Sequence, residues 1–207
     1  MKQILLICAV VALVGCGGGK QEKALEENAE EPPKAMSPSQ PQPTPKPPAE
    51  KPLTEEESAK IIETAIRKEI KKPTGELTKA DLEKVTELYL VDDQLTDVKW
   101  LEKLTKLTAL SLNHNQLTDV KGLEKLPQLK MLWLTANHLT DVKGLEKLTQ
   151  LKCLYLNQNK LTDVKGLEKF TQLKFLILDG NPALTKVQID ELKKALPDCK
   201  IEHNAKK

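Results

Sequence analysis

Aromatic side chains are scarce in this 207-residue chain, which has two each of tryptophan, tyrosine and phenylalanine. With 13 prolines against 9 glycines, that scarcity predicts that part of the chain does not fold and that the folded part is one domain. Neither sign of charge dominates. Its 32 basic and 30 acidic residues leave a formal charge of +2, which excludes long-range steering towards nucleic acid. Four cysteines and three histidines, scattered along the chain, form no metal-ligand spacing. The sequence also lacks a Gly-rich phosphate loop and any Ser/His/Asp arrangement. The expectation is therefore a protein without catalytic residues, cofactor or metal.

No apolar run is long enough for a permanent bilayer span. The longest, Ile4 to Val14 in "MKQILLICAVVALVGCGGGK", follows a single lysine and has the length of a signal-peptide core. Its end, "LVGC", resembles the lipobox of bacterial lipoproteins, in which a small residue precedes a cysteine that carries a diacylglycerol. The resemblance implies that residues 1–15 are removed and that the mature protein begins at a lipidated Cys16. Its acyl chains anchor it in the membrane, each buried methylene contributing roughly 0.8 kcal/mol. Gly17 stands where enteric lipoproteins retained at the inner membrane carry aspartate, so the resemblance implies an outer-membrane or cell-surface location. The alternative is an ordinary signal peptide followed by a chance cysteine.

After Cys16, "GGGKQEKALEENAEEPPKAMSPSQPQPTPKPPAEKP" holds nine of the prolines and almost no large apolar residue. Such a segment buries too little surface to offset the entropy of ordering. We read residues 16–53 as the lipidated cysteine and a Pro-rich disordered tether. Proline at this density also suits a ligand for other domains, but an exported, anchored protein calls for a spacer.

Folded structure starts at Thr54. Thr54 and Glu57 form a capping box before Ile61, Ile62, Ala65, Ile66 and Ile70, which recur at helical spacing. A second box, Thr78 with Asp81, opens a shorter helix through Leu82 and Val85. Residues 54–86 are thus expected to be a helical cap on the domain that follows.

From Leu88 a 22-residue period appears, with equivalent leucines at 110, 132, 154 and 176. The units "LTALSLNHNQL", "LKMLWLTANHL", "LKCLYLNQNKL" and "LKFLILDGNPA" fit L-x-x-L-x-L-x-x-N-x-L. This resembles leucine-rich repeats, and the repeat length with "LTDVKGLEKLTQL" is most similar to the internalin subclass. The fold implied is an α/β solenoid with a concave parallel β-sheet and helical caps at both ends. Repeats and C-terminal cap are expected over residues 87–201, with residues 202–207 as a tail.

Alternation on each strand sends the leucine pairs Leu110/Leu112, Leu132/Leu134 and Leu154/Leu156 inward. Asn115, Asn137, Asn159 and Asn181 recur at the strand exit, where a buried amide can satisfy backbone groups of its turn and of the next repeat. Asp97, Asp119, Asp141 and Asp163 are expected to cap the convex-side turns. Together with Glu102, Glu124, Glu146 and Glu168 they could suggest acid and base groups, but identical copies in every repeat fit architecture better. In the last unit, Thr185 and Gln188 cap a helix carrying Val187, Ile189, Leu192 and Leu196. Matching "LPDCKI" to the template puts Cys199 inward on a sixth strand. Cys153 points outward two strands away, at a Cα distance of about 9 to 10 Å, too far for a disulfide. His114, His138 and His203 are expected at the surface.

The same alternation puts Tyr89, Ser111, Trp133, Tyr155 and Ile177 in one row on the concave face. Glu87, Ala109, Met131, Cys153 and Phe175 form a second row, and Lys130, Lys152 and Lys174 a third beside it. Tyr89, Met131, Trp133, Tyr155, Phe175 and Ile177 are the candidate apolar anchors of a partner, and the three lysines suit some negative charge on it. The bland alternative is that the rings pack on one another and shield the sheet. The expected function is a lipid-anchored, exported repeat protein binding another protein or peptide through this face. A structural envelope lipoprotein binding glycan or an anionic polymer is the alternative.

Overall fold

The computed structural model describes residues 51–206. The signal peptide, Cys16 and most of the tether lie outside the described residues.

Helix α1, Glu55–Glu69, begins where expected: Thr54 Oγ1 accepts from the Glu57 backbone N–H, and the Glu57 carboxylate accepts from the Thr54 N–H. Those reciprocal bonds satisfy two donors that a helix start leaves open. The same bonds hold the Glu57 carboxyl below its usual range. Ile62 and Ile66 are buried, while Ile61, Ala65 and Ile70 pack half-buried against the core. Helix α2 is a single turn, Lys79–Leu82, shorter than the expected reach to Val85, which is nevertheless fully buried beyond the helix end. Asp81 is the hub of this cap. Its carboxylate accepts from Lys72 Nζ at 2.6 Å, Thr78 Oγ1 at 2.7 Å and Lys84 Nζ at 3.1 Å.

Six strands follow: β1 (Glu87–Tyr89), β2 (Ala109–Ser111), β3 (Met131–Trp133), β4 (Cys153–Tyr155), β5 (Phe175–Ile177) and β6 (Lys200–Glu202). They form one parallel sheet in sequence order, with Leu88, Leu110, Leu132, Leu154, Leu176 and Ile201 in register. The last four leucines of that row are fully buried, and so are Leu112, Leu134 and Leu156 of the next inward row. Each contributes about 1.5–3 kcal/mol relative to an exposed side chain. Sheet, in-register ladder and capping helices make the domain a short leucine-rich repeat solenoid.

The Asn ladder is as buried as expected, but it reaches backwards. Asn137 Nδ2 donates to Leu112 O at 2.9 Å and Leu134 O at 3.2 Å, and its Oδ1 accepts from Leu117 N–H at 3.1 Å. Leu112 and Leu117 both belong to the preceding repeat. A strand exit faces the carbonyls already laid down, which is why the bond runs that way and not to the next unit. On the convex side, Asp119 and Asp163 each accept from the N–H two residues on. They shape the approach to the 3-10 turns Leu123–Lys125 and Leu167–Lys169, whose own first residues lack a side-chain cap. The partner glutamates do the complementary work: Glu124 accepts from Gly122 N–H and Glu168 from Gly166 N–H, both at 2.6 Å.

The C-terminal unit departs from expectation in four ways. Helix α3, Lys186–Ala195, has the predicted Thr185–Gln188 capping box, but Val187 is 66% exposed and does not join the core. Leu196 closes this helix, donating its N–H to Leu192 O, so it is not the first leucine of another repeat. The strand therefore starts two residues later than the template placed it. Ile201 takes the inward place in β6, and Cys199 lies just outside the strand, half-buried. The expected tail is also docked: Asn204 Oδ1 accepts from Gly180 N–H, and Lys206 bridges to Thr185. His203 is half-buried with it, its Nε2 3.1 Å from Lys193 Nζ, unlike the exposed His114 and His138.

Candidate binding face

Strand alternation and parallel register place the face. Tyr89, Ser111, Trp133, Tyr155 and Ile177 are mutual neighbours across β1 to β5, and Glu87, Ala109, Met131, Cys153 and Phe175 form the adjoining row. Both rows assemble as the 22-residue period requires.

Their exposure is uneven. Tyr89 is 52% and Phe175 47% exposed, whereas Met131, Trp133, Tyr155 and Ile177 are half-buried. Part of the cover is mutual: the Trp133 and Tyr155 rings stack with centroids 5.8 Å apart and an interplanar angle of 22°. Ser111 and Ala109, the small members of their rows, are buried at 5% and 0% exposure.

Lys130, Lys152 and Lys174 are exposed and aligned, the N–H of each later lysine donating to the carbonyl of the one before at 2.8 Å. Lys174 Nζ lies 4.0 Å from Asp198, and no ion pair links Lys130 or Lys152 to a described residue. Like charges side by side in a sheet are unfavourable, so this rim favours an acidic visitor.

A fourth row was not read from the sequence. Asn113 Oδ1 accepts from Thr135 N–H at 2.9 Å, and Thr135 Oγ1 donates to Asn157 Oδ1 at 2.8 Å. These polar residues follow the second inward leucine of each unit, so the repeat alignment carried the signal. They line the opposite rim from the lysines.

Cys153 and Cys199 are free thiols. Burial pushes both up, Cys199 to about 11, and neither has the depressed pKa of a reactive thiolate. Among the described residues no group of His, Cys, Asp and Glu is placed to hold a metal ion, and no helix is long and apolar enough to cross a membrane. The convex Asp163 is occupied by its own turn, the Lys165 N–H holding its carboxyl below the ordinary range.

Residues 105–147 and 149–194 match the family described as leucine-rich repeats (2 copies). Among solved structures, an internalin from Listeria monocytogenes is 28% identical, with a TM-score of 0.64, over 73% of this chain and 44% of that one. Internalin C2 from the same organism is 25% identical, with a TM-score of 0.64, over 71% of this chain and 66% of that one. A leucine-rich repeat protein of Leptospira interrogans is 30% identical, with a TM-score of 0.55, over 61% of this chain and 34% of that one. The chain thus spans less than two thirds of each. No curated protein matches it in sequence. These likenesses support an internalin-type leucine-rich repeat domain, a class of scaffold that typically mediates protein–protein contact without catalysis.

Proposed function

We propose that this chain is an exported, lipid-anchored leucine-rich repeat protein that binds another protein or peptide through its concave face. The observation that carries the reading is the Trp133–Tyr155 stack on β3 and β4, with the exposed Tyr89 on β1 and Phe175 on β5 to either side and the lysine row beside it. Aromatic residues on a rigid sheet have the composition of an interface centre, and exposed lysines beside them suit its polar rim. Anchoring rests on "LVGC" and Cys16, and the cell envelope is the location it implies.

Crosslinking on intact envelopes, followed by recovery of the wild-type chain and of Trp133→Ala with Tyr155→Ala, tests the binding reading. One polypeptide enriched with wild type and lost with the double variant is expected. Equal recovery by both rejects the concave face, and recovery of glycan alone transfers the reading to an envelope-polymer binder. Cys16→Ser tests the anchor separately: it should abolish partitioning into detergent, and undiminished membrane retention rejects lipidation.

A further inference from the structure

A short motif recurs where each unit passes from its convex turn to its strand: "KLPQLK" at 125–130, "KLTQLK" at 147–152 and "KFTQLK" at 169–174. Its second and fifth residues are buried and the other four are exposed, so the chain grips the core at two points and shows solvent the rest. The copies stack in register, Lys152 N–H donating to Lys130 O and Lys174 N–H to Lys152 O. Two lysine columns result: Lys125, Lys147 and Lys169 towards the convex side, and Lys130, Lys152 and Lys174 at the concave rim. Neighbours in the rim column lie about 4.8 Å apart. The two columns are separated by at most about 17 Å of chain, so six ammoniums share one flank of the solenoid.

Little on this flank answers that charge. No aspartate or glutamate falls within any of the three copies, and of the six lysines only Lys174 has an ion-pair partner among the described residues, Asp198 at 4.0 Å. The convex lysines differ: Lys121, Lys143 and Lys165 lie 3.4 to 3.5 Å from Asp119, Asp141 and Asp163. Glu124 and Glu168, which precede the first lysine of their copies, are held by glycine N–H groups of their own turns. Like charges one strand apart repel, so the flank gains from an anionic neighbour. Between the columns the exposed residues are glutamine, threonine and proline. A protein partner finds no apolar or aromatic centre there, and a nucleic acid finds no arginine fork or stacking ring. A bilayer of anionic lipid needs neither, and it spreads its charge over two dimensions as the two columns do.

We infer that this flank docks the domain on an anionic lipid bilayer, with the ammoniums of Lys125, Lys130, Lys147, Lys152, Lys169 and Lys174 among the headgroup phosphates. The inference rests on the anchored reading, in which Cys16 keeps a bilayer within reach, and goes beyond partner binding. A polybasic patch adds to acyl chains as a second membrane signal. Orientation follows from the fold: each copy of the motif runs into the start of a strand, so the strands point away from the lipid and the concave rows open to the side. The acidic visitor that the lysine rim favours is then the lipid surface, and the concave rows are left to a partner.

The test sediments the mature chain, residues 16–207 with Cys16→Ser so that no lipid is attached, with vesicles of phosphatidylcholine alone or of equal parts phosphatidylcholine and phosphatidylglycerol. It should bind the mixed vesicles and not the neutral ones, with affinity falling at least about tenfold as added salt shortens the screening length. Lys125→Gln, Lys147→Gln and Lys169→Gln together should weaken binding about tenfold or more, and so should the same change at Lys130, Lys152 and Lys174. Lys121→Gln with Lys143→Gln and Lys165→Gln removes equal charge from the convex side and should weaken it less than about threefold. All of these lysines are exposed, so the variants leave the core intact. Equal loss from the flank and convex triples overturns the docking surface, as does binding to neutral vesicles or failure to bind mixed ones. Tighter binding to duplex DNA or to inorganic phosphate than to mixed vesicles, at equal phosphate, also overturns it. Since no arm carries a lipid, failure here leaves the Cys16 anchor standing, and membrane retention of Cys16→Ser in cells decides the anchor alone.

Discussion

Asn159 Nδ2 donates to Leu134 O at 2.8 Å, reaching back 25 residues into the preceding repeat, while its Oδ1 accepts from Leu139 N–H at 3.1 Å. One buried amide thus joins two repeats through backbone groups that water cannot reach. Asn159→Ala should destabilise the domain by about 2–4 kcal/mol, because the carbonyls of Leu134 and Leu156 and the N–H of Leu139 all lose this partner. Urea denaturation measures it. A loss below about 0.5 kcal/mol would mean that the ladder is decoration and leucine packing alone holds the repeats.

In the first repeat the ladder position is Asp93, half-buried, where burial and then the neighbouring Asp92 raise its carboxyl pKa. A folded-state pKa above the unfolded one means that the charged form opposes folding. That penalty is full above the folded pKa and vanishes below the unfolded value of about 4. Asp93→Asn should therefore raise the melting temperature at neutral pH and make no difference at the acid end. Melting temperature against pH for both proteins checks the sign.

Asp81 runs the other way. Lys72, then Thr78 and Lys84, hold its carboxyl well below the ordinary range. A depressed folded-state pKa gives stability that is present above the unfolded value and drains away as pH falls below about 4 towards the folded one. Asp81→Asn should lower the melting temperature at pH 7, and the gap to the parent should narrow steadily on acidification. A gap that stays constant with pH would show that Asp81 acts only as the α2 capping residue.

Two glycines at one repeat position separate backbone strain from crowding. Gly144 (φ +92°) and Gly166 (φ +97°) both hold the left-handed region, but an added Cβ meets Val120 O at 3.0 Å at Gly144 and only Val142 Cγ2 at 3.8 Å at Gly166. Gly166→Ala should cost about 1–2 kcal/mol for its conformation. Gly144→Ala should cost at least about 1 kcal/mol more, since the contact is with backbone that cannot turn aside. Equal losses would place the whole effect in φ.

The repeat made most of this fold legible. A fixed period with two-residue alternation determines both which side chains share a row and which face that row takes, so the neighbours of Trp133 follow from arithmetic on the sequence. The arithmetic stops where the period does. "LPDCKI" can be laid on the leucine template with Cys199 and Ile201 at leucine positions, yet Leu196 closes α3, and Ile201 rather than Cys199 takes the register of the inward row. Exposure within a row is illegible for another reason. It depends on the size and lean of neighbours, so the burial of Ser111 and the stacking of Trp133 on Tyr155 emerge only from packing. The polar row through Asn113, Thr135 and Asn157 was present in the alignment, but it lies past the inward leucines on which the alternation argument rested.

Trp133 is where fold and function should separate. It is half-buried on the concave face and stacked on Tyr155 at 5.8 Å, so it belongs neither to the leucine core nor wholly to solvent. A core tryptophan replaced by alanine costs about 3–5 kcal/mol, because a cavity remains. Trp133→Ala leaves none inside the ladder and forfeits mainly the ring contact, so stability should fall by less than about 1.5 kcal/mol. A double-mutant cycle with Tyr155→Ala should return a coupling of about 0.5–1.5 kcal/mol, the worth of the stacked pair. Affinity for the partner recovered from envelopes should fall by about 2 kcal/mol or more, as for a central aromatic anchor. Lys143→Ala is the control, since Lys143 sits on the convex side with its Nζ 3.4 Å from Asp141, and it should change neither quantity. Collapse of the fold on Trp133→Ala would assign the ring to the core, and unchanged affinity would leave the stack as a shield over the sheet.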